Sequence, residues 1–269
     1  MKADILRALE TSVLGQSLNV FDEAVSTNEL ARQRARAGGG EGETFLALKQ
    51  TGGRGRLGRS WESPAGKNLL LSVILKPSCS LADASLLTLV AGAAAFDLLS
   101  SYLAESPASP GFKDLTIKWP NDVYWKDRKV AGILSEMESE GDSIRYVVCG
   151  VGANVNAVEA DFSPEIRDKA ASLKTILGRE TPLAEAAARF LNFLEKRYQT
   201  FLKRGSSDLI RFCDERSYLK GRKILFEAPE GKLTGTALSL SPQGHLLVRN
   251  RDGSVIPLSS GEVTIKDIL

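Results

Sequence analysis

The chain has 269 residues, of which 43% are hydrophobic and 25% charged, a globular composition with enough apolar side chains for a core. Its formal net charge of +2 lacks the basic excess that nucleic-acid-binding proteins usually carry. The three cysteines are widely spaced and predict neither a disulfide framework nor a zinc site. The chain has a single histidine, which argues against a catalytic Ser–His or Cys–His pair. No signal peptide or membrane-length apolar run is predicted, so we expect a soluble cytoplasmic protein.

The first three quarters of the chain alternate between helix and strand patterns. Residues 26–37 are predicted to form a helix, because Ser26 or Thr27 can cap it and Glu29 stands at capping-box spacing from Ser26. Further predicted elements are strands at 44–50 and 68–75, a long Ala- and Leu-rich helix capped by Ser80, four strands within LTIKW, NDVYW, KVAGILSEME and IRYVVCGVG, and helices starting after Pro182 and in SSDLIRFCDERS.

The pattern changes from about Leu219, where glycine-punctuated β segments begin. Two-residue turns at 243–244 (Gln-Gly) and 252–253 (Asp-Gly) fit β-hairpins. This pattern predicts a small β-barrel appended to a larger domain of helices and strands. We therefore divide the chain into a first domain over 1–217 and a second over 218–269.

The loop at 52–61, GGRGRLGRSW, contains four glycines and three arginines in ten residues. Glycine lets a backbone approach a ligand closely, and arginine offers planar forks of donors that suit phosphate and carboxylate. Such a loop could clamp an anionic ligand and be mobile without it. A solvated Arg-Gly loop that binds nucleic acid weakly is the alternative, and composition alone leaves both hypotheses open. The spacing does not match the GxxxxGK[ST] phosphate-binding loop.

Three further segments combine polar and glycine residues at predicted strand ends. KWPND at 118–122 could place a cation, an amide and a carboxylate at one rim, or it could simply form a turn. In DRKVAGIL at 127–134, Lys129 opens an apolar strand, which is the usual position of a solvated lysine unless it points into a pocket. GVGANVN at 150–156 closes an apolar strand, where glycine could serve packing alone. The single histidine, His245, lies in a predicted hairpin far from these segments.

Taken together and in this order, the segments resemble those of the biotin–protein ligases, specifically a form without an N-terminal DNA-binding domain. The combination of GRGRxGRxW, KWPND and RKxAGIL is highly specific, whereas each segment alone is only moderately so. The resemblance runs from about residue 20 to the end of the chain. It rests on Ser26-Thr27-Asn28, Gln50 followed by GGRGRLGRSW, KWPND, DRKVAGIL, GVGANVN and SSGEVTIK.

The resemblance implies an α+β fold: a mixed-sheet, class II synthetase-like catalytic domain with a small C-terminal SH3-like barrel. It implies Lys129, Arg54 and Arg56 as catalytic residues and no protein metal ligands. The implied biotin-binding residues are Ser26, Thr27, Asn28, Gln50, Arg54, Gly55, Arg56 and Lys129. The implied ATP-binding residues are Trp61, Lys118, Asn121, Asn154 and Lys266.

Two positions depart from the family pattern. Leu57 stands where a basic residue is often found, and its apolar side chain is expected to cover a bound adenylate. Lys266 stands where some members have an arginine; it keeps the charge but loses the bidentate fork.

The implied reaction uses ATP and biotin as substrates with Mg²⁺, forms biotinyl-5′-AMP, and transfers biotin to a lysine of a biotin carboxyl carrier protein. The resemblance implies a monomer or homodimer, with no DNA or membrane as partner. Lipoate–protein ligase or octanoyltransferase activity is the nearest alternative, because those enzymes have a related fold. A DNA-binding biotin sensor and a non-catalytic biotin- or adenylate-binding protein are the alternatives from other classes.

Overall fold

The computed structural model describes residues 1–106, 112–228, 231–259 and 263–265. The helices are Lys2–Ala8 (α1), Thr27–Arg36 (α2), Leu81–Ala84 (α3), Leu87–Ala104 (α4), Pro164–Arg167 (α5), Leu173–Leu177 (α6), Leu183–Arg204 (α7) and Ser207–Glu215 (α8). The strands are Leu18–Phe21 (β1), Thr44–Ala47 (β2), Asn68–Leu75 (β3), Leu115–Lys118 (β4), Asp122–Trp125 (β5), Arg128–Glu140 (β6), Ser143–Asn154 (β7), Lys223–Ala228 (β8), Gly231–Leu240 (β9), Leu246–Arg249 (β10), Val255–Leu258 (β11) and Val263–Ile265 (β12).

A seven-stranded mixed sheet in the order β1-β2-β3-β7-β6-β5-β4 forms the centre of the molecule. Its β1–β2 pair is parallel and its other pairs are antiparallel, which confirms the predicted mixed-sheet α+β fold. Every residue of β3 is buried, because α2 covers one face of the sheet and α4 and α7 cover the other. A strand covered on both faces is a continuous apolar run, as NLLLSVIL is.

The predicted long helix after Ser80 is interrupted. Ser80 Oγ accepts a hydrogen bond from Asp83 N at 3.0 Å and caps α3, as predicted, but α4 starts only at Leu87. The most apolar 18-residue window of Leu81–Ala104 has a mean hydropathy of 1.6, so by length and composition this span does qualify as a membrane-length run, contrary to our expectation. Because 78% of that window is buried within the fold, the span belongs to the core of the molecule.

A buried carboxylate fastens the N-terminal segment to α7. Glu195 is 7% exposed, and it accepts hydrogen bonds from the backbone N–H groups of Ser12, Val13 and Leu14 at 2.6, 2.9 and 2.7 Å. Burial acts to raise the pKa of Glu195, but the hydrogen bonds from Leu14, Ser12 and Val13 outweigh it, so the pKa is lowered. The charged form of this carboxylate therefore stabilises the fold.

We expect Glu195→Gln to lower the free energy of unfolding at pH 7 by about 2 kcal/mol, because the amide keeps only one acceptor oxygen and its NH₂ group then faces backbone N–H donors. Since the folded-state pKa is depressed, the stabilisation is present above the unfolded value near 4.5 and is lost as pH falls below it. Urea unfolding at pH 7 and pH 3.5 measures both effects. The difference between wild type and variant should shrink at pH 3.5, and an equal difference at both pH values would contradict the assignment.

The C-terminal strands form a second sheet, antiparallel and in the order β11-β10-β9-β8-β12. The predicted hairpins β9–β10 and β10–β11 are confirmed, but their connections, 241–245 and 250–254, are longer than the two-residue turns predicted at 243–244 and 252–253. Within the described residues no pairing joins β11 to β12, so the closed SH3-like barrel stays a prediction. The domain boundary at 217/218, which falls between α8 and β8, also stays a prediction.

One hydrogen bond ties the second sheet to the KWPND segment. The Trp119 indole N–H donates to the Gly244 carbonyl, in the β9–β10 turn, at 2.9 Å. His245 lies in the same turn and is half-buried, as expected for a hairpin histidine. The C-terminal sheet thus supports the segment that follows β4.

Candidate active site

Two adjoining cavities open on the mixed sheet. Each contains residues that the other lacks, so they form two compartments. The first is lined by the start of α2 and by β6 and β7, and the second by the segment 118–122. Five residues line both and so form the junction: Gly55, Arg56, Trp61, Asn121 and Lys129.

The start of α2 supplies buried polar groups to the first cavity. Ser26, Thr27 and Asn28 are 3%, 4% and 6% exposed. Gln50 Oε1 accepts hydrogen bonds from Thr27 N at 2.7 Å and from Thr27 Oγ1 at 3.1 Å. Ser26 occupies the predicted N-cap position, but its side chain makes no capping hydrogen bond. The predicted capping role of the Ser26 hydroxyl is therefore wrong.

Glycines of β7 form the floor of this cavity, where side chains of other segments come very close. A Cβ on Gly150 would lie 1.9 Å from Asn28 Oδ1, and a Cβ on Gly152 would lie 2.5 Å from the Trp61 ring. Real Cβ atoms do not make such contacts. The glycines of GVGANVN therefore have a steric function beyond strand packing, since they make room for Asn28 and Trp61.

Lys129 points into the junction rather than into solvent. Its Nζ lies 2.7 Å from Asp122 Oδ1 and 5.3 Å from the centroid of the Trp61 ring. The Lys129 side chain is 30% exposed and that of Asp122 only 16%. The side chain passes over Gly132, where a Cβ would come within 2.8 Å of Lys129 Nζ. The geometry places one ammonium, one carboxylate and one indole at the junction.

The Gly/Arg loop forms a hairpin above both cavities. Gly55 N donates to Arg59 O at 2.7 Å and Trp61 N donates to Gly53 O at 2.9 Å. Leu57 has a left-handed φ of 55° and is 69% exposed, so the loop presents its apolar side chain to solvent. The expectation that Leu57 covers an adenylate stays a prediction.

The first two loop arginines have different surroundings. Arg54 is half-exposed, with Nη2 3.4 Å from Glu29 Oε2. Glu29 also pairs with Arg32 and Gln33 within α2 instead of closing the predicted capping box. Arg56 Nη1 donates to Asn121 Oδ1 at 3.3 Å. Burial lowers the pKa of Arg56, while the charge of Asp122 opposes this effect. A partly desolvated guanidinium gains most from an anionic ligand.

The residues predicted to bind ATP lie in different places. Trp61, Lys118 and Asn121 line the second cavity, where Lys118 Nζ lies 3.4 Å from the Tyr124 hydroxyl. Asn154 is buried beyond the junction: its amide accepts from Asn68 Nδ2 at 3.1 Å and donates to Ala171 O at 3.1 Å. Lys266 lies outside the described residues.

No cluster of three or more His, Cys, Asp or Glu side chains that could hold a metal is found in the part of the chain that the structure describes. Asp122, the carboxylate that lines the second cavity, is paired with Lys129.

Sequence reasoning missed several site residues. Asp122 was predicted either as a carboxylate at the rim of a site or as part of a turn and was given no role, and Ser72 and Glu136 were predicted only as strand residues. Ser72 Oγ lies 2.7 Å from Thr27 Oγ1, and Glu136 Oε2 accepts from Asn28 Nδ2 at 2.8 Å. The only signal was a polar residue inside an apolar strand, as Ser72 is in NLLLSVIL.

Comparison with known proteins gives the class of this molecule. The Biotin/lipoate A/B protein ligase family matches residues 26–154, which include most of both cavities. The bifunctional ligase/repressor BirA of Bacillus spizizenii is 33% identical over 252 residues, covering 94% of this chain and 75% of that protein. The biotin–[acetyl-CoA-carboxylase] ligase of Mycobacterium tuberculosis is 31% identical, covering 96% of this chain and 94% of that one.

Solved structures agree with these relatives. The biotin protein ligase of Aquifex aeolicus in complex with biotin and ATP superposes with a TM-score of 0.75 and 29% identity, covering 93% of this chain and 99% of that one. The Leishmania major enzyme in complex with biotinyl-5-AMP gives a TM-score of 0.59, with 29% identity and coverage of 91% and 99%. The chain therefore belongs to the biotin–protein ligases within the biotin/lipoate ligase family.

Proposed function

We propose that this protein activates biotin with ATP to biotinyl-5′-AMP and transfers the biotinyl group to a lysine of a biotin carboxyl carrier protein. The observation that carries the proposal is the junction, where Lys129 and Arg56 line both cavities. A ligand with a neutral polar head and an anionic tail would fill the first cavity and direct its carboxylate at these cations. A nucleotide in the second cavity would bring its α-phosphate to the same place.

In the first step a biotin carboxylate oxygen attacks the α-phosphorus of MgATP, and pyrophosphate leaves. Two anions must approach each other while negative charge builds on the phosphoryl oxygens. Lys129 and Arg56 stabilise that charge in a partly desolvated site, and Arg54 joins them when the loop closes. Asp122 holds the Lys129 ammonium at the junction.

In the second step the neutral ε-amine of the acceptor lysine attacks the carbonyl carbon of the mixed anhydride, and AMP leaves. The anhydride is prone to hydrolysis, so the loop at 52–61 serves as a lid that excludes water. The C-terminal sheet, which we propose is an SH3-like barrel, supports the nucleotide side through Trp119. We further propose a cytoplasmic enzyme, monomeric or homodimeric, that acts without DNA.

The test is transfer of biotin to an acceptor domain. The purified protein is incubated with biotin, MgATP and a biotin carboxyl carrier domain, with lipoate and octanoate in parallel reactions, and the acceptor mass is measured. We expect only the biotinyl adduct, and none on an acceptor whose target lysine is replaced by arginine. Lipoyl or octanoyl adducts instead of biotin would assign the protein to the other branch of the family.

A further inference from the structure

The register of β4 and β5 brings Lys118 and Tyr124 together on one face of the mixed sheet. Thr116 of β4 is opposite Tyr124 of β5, so Lys118, two residues further along β4, is a diagonal neighbour of Tyr124 on the same face. Lys118 Nζ donates to the Tyr124 hydroxyl oxygen at 3.4 Å and lies 5.1 Å from the centroid of the Tyr124 ring. Lys118 lines the second cavity, whereas Tyr124 does not. Tyr124 therefore contacts a cation of the site from outside the cavity.

The segment that follows α8 lies on the other side of β4. Ile117 N donates to Arg216 O at 2.8 Å, and Tyr218 N donates to Ile117 O at 2.9 Å. Residues 216–218 therefore lie along the edge of β4 that β5 leaves open. Tyr218 is 8% exposed, and its ring stacks on that of Tyr124 with 4.8 Å between the centroids and 30° between the planes. The two rings therefore meet across β4, and the chain that enters the second sheet packs against Tyr124.

Tyr218 is itself held at its hydroxyl and at its ring. Its hydroxyl donates to Asp127 Oδ1 at 2.8 Å, and Arg222 Cζ lies 4.2 Å from the ring centroid. Arg222 Nη1 also lies 3.4 Å from Asp127 Oδ1, so the three side chains contact one another. Burial raises the pKa of Tyr124 above its usual range and that of Tyr218 to about 12. Both hydroxyls therefore stay protonated at neutral pH, and Tyr124 remains a neutral acceptor for Lys118.

A lysine that is already held needs less ordering when it binds an anion. Fixing a free lysine side chain on a ligand costs rotamer entropy, and a side chain with a preferred position loses less of it. The hydroxyl and the ring of Tyr124 both favour positions of the Lys118 ammonium at the wall of the second cavity. Because Tyr124 is neutral, it orders the ammonium without adding a negative charge beside an incoming phosphate.

We propose that Tyr124 is a positioning residue that holds the Lys118 ammonium at the second cavity for the phosphate groups of a nucleotide, and that Tyr218 keeps the Tyr124 ring in place. The proposal rests on the proposed function, which puts the nucleotide in the second cavity. It adds that two tyrosines outside that cavity, one of them on the chain between α8 and β8, set the affinity for ATP. Biotin binding is independent of them, because neither tyrosine nor Lys118 lines the first cavity.

Replacing Tyr124 by phenylalanine tests the direct contact. Tyr124→Phe keeps the stacked ring but loses the hydroxyl that accepts from Lys118, so we expect KM for ATP to rise about threefold. The kcat and the KM for biotin should stay within about twofold of wild type, because the lost contact serves only the nucleotide. The measurement is the initial rate of biotin-dependent pyrophosphate release, with ATP and biotin varied in turn.

Two substitutions of Tyr218 test the stacking. Tyr218→Ala removes the ring that supports Tyr124, so both contacts of Lys118 loosen and KM for ATP should rise about tenfold, again without a change in KM for biotin. Tyr218→Phe keeps the ring and loses only the hydrogen bond to Asp127, so it should restore a KM for ATP within about twofold of wild type. If Tyr218→Ala does not fold, Tyr124→Phe alone decides the case.

Two controls separate positioning from a structural role. Tyr146→Phe is matched to Tyr124→Phe, because Tyr146 also loses a hydroxyl contact, here to Glu138, but lines neither cavity. It should keep wild-type kinetics. Lys118→Met keeps the length of the side chain but removes its charge, and it should itself raise KM for ATP. In that background Tyr124→Phe and Tyr218→Ala should cause no further change.

Failure of the proposed function and failure of this inference give different results. A wild-type protein that forms no biotinyl-5′-AMP would overturn the proposed function. With an active wild type, a normal KM for ATP in Tyr124→Phe, in a folded Tyr218→Ala or in Lys118→Met would overturn the inference. So would the same defect in Tyr146→Phe, or a rise that persists in the Lys118→Met background. A rise in KM that is confined to ATP and depends on Lys118 would support it.

Discussion

Replacing Lys129 with alanine is expected to lower kcat for biotin adenylation by a factor on the order of 10²–10³, because a positioned cation is lost where negative charge develops. The Lys129 ammonium lies 2.7 Å from Asp122 Oδ1. Lys129 lines both cavities, so it is placed to contact a ligand in either of them. Removing it also leaves the Asp122 carboxylate unpaired, which adds repulsion toward the incoming phosphate. The measurement is the rate of biotin-dependent pyrophosphate release.

Arg128→Ala is the matched control for this prediction. Arg128 is the neighbouring cation on β6, and it pairs with Glu159 at 3.4 Å, away from the junction. We expect it to keep wild-type activity, and both variants should keep the thermal unfolding temperature within a few degrees. A Lys129→Ala enzyme with a rate within about threefold of wild type would refute the assigned role, because Arg56 and Arg54 alone would then suffice.

Gly150→Ala is expected to raise KM for biotin by a factor on the order of 100, because a displacement of about 1 Å in a binding constellation can cost that much. The new Cβ would lie 1.9 Å from Asn28 Oδ1. Gly150 is paired with Ser72 on one side and Leu134 on the other, so the backbone cannot move away. Asn28 must rotate instead and lose its hydrogen bonds. KM for ATP should change little, because Gly150 lines only the first cavity.

The control for an added methyl group is Gly92→Ala. Gly92 lies in α4, and a Cβ there would have no atom within 4 Å. We expect wild-type kinetics and a gain in stability of roughly 0.5–1 kcal/mol, since alanine is the better helix residue. Steady-state kinetics with biotin and ATP varied in turn distinguish the variants. Equal KM values for biotin in Gly150→Ala and Gly92→Ala would show that Asn28 is not needed in its observed position.

The fold was predicted best where burial alone determines the pattern. NLLLSVIL became β3 with the bounds expected, because a strand buried on both faces is recognisable as a nearly continuous apolar run. β1, with the sequence LNVF, was not predicted, because a short edge strand with a polar residue has little pattern of its own. The break between α3 and α4 was also missed, since leucine and serine there are compatible with a continuous helix.

The site residues that belong to a recognisable sequence motif were predicted. The contacts that depend on how distant segments pair in the folded chain were missed. Every residue predicted to bind biotin lines the first cavity. Glu29 had capping-box spacing, yet its carboxylate pairs with Arg32 and Gln33 of the same helix and also reaches Arg54, which is close only in the folded chain. The pairing of Asp122 with Lys129 depends on the antiparallel register of β5 and β6. Local sequence cannot specify that register in advance.

The most direct test of the central claim is detection of the activated intermediate itself. The enzyme at micromolar concentration is mixed with biotin and MgATP without any acceptor, and the small molecules are analysed by mass spectrometry after a single turnover. The account predicts biotinyl-5′-AMP and pyrophosphate in amounts that match the enzyme, with no adenylate from lipoate or octanoate. Recovery of intact ATP together with unmodified biotin would contradict it. An adenylate that forms with lipoate or octanoate but not with biotin would also contradict it.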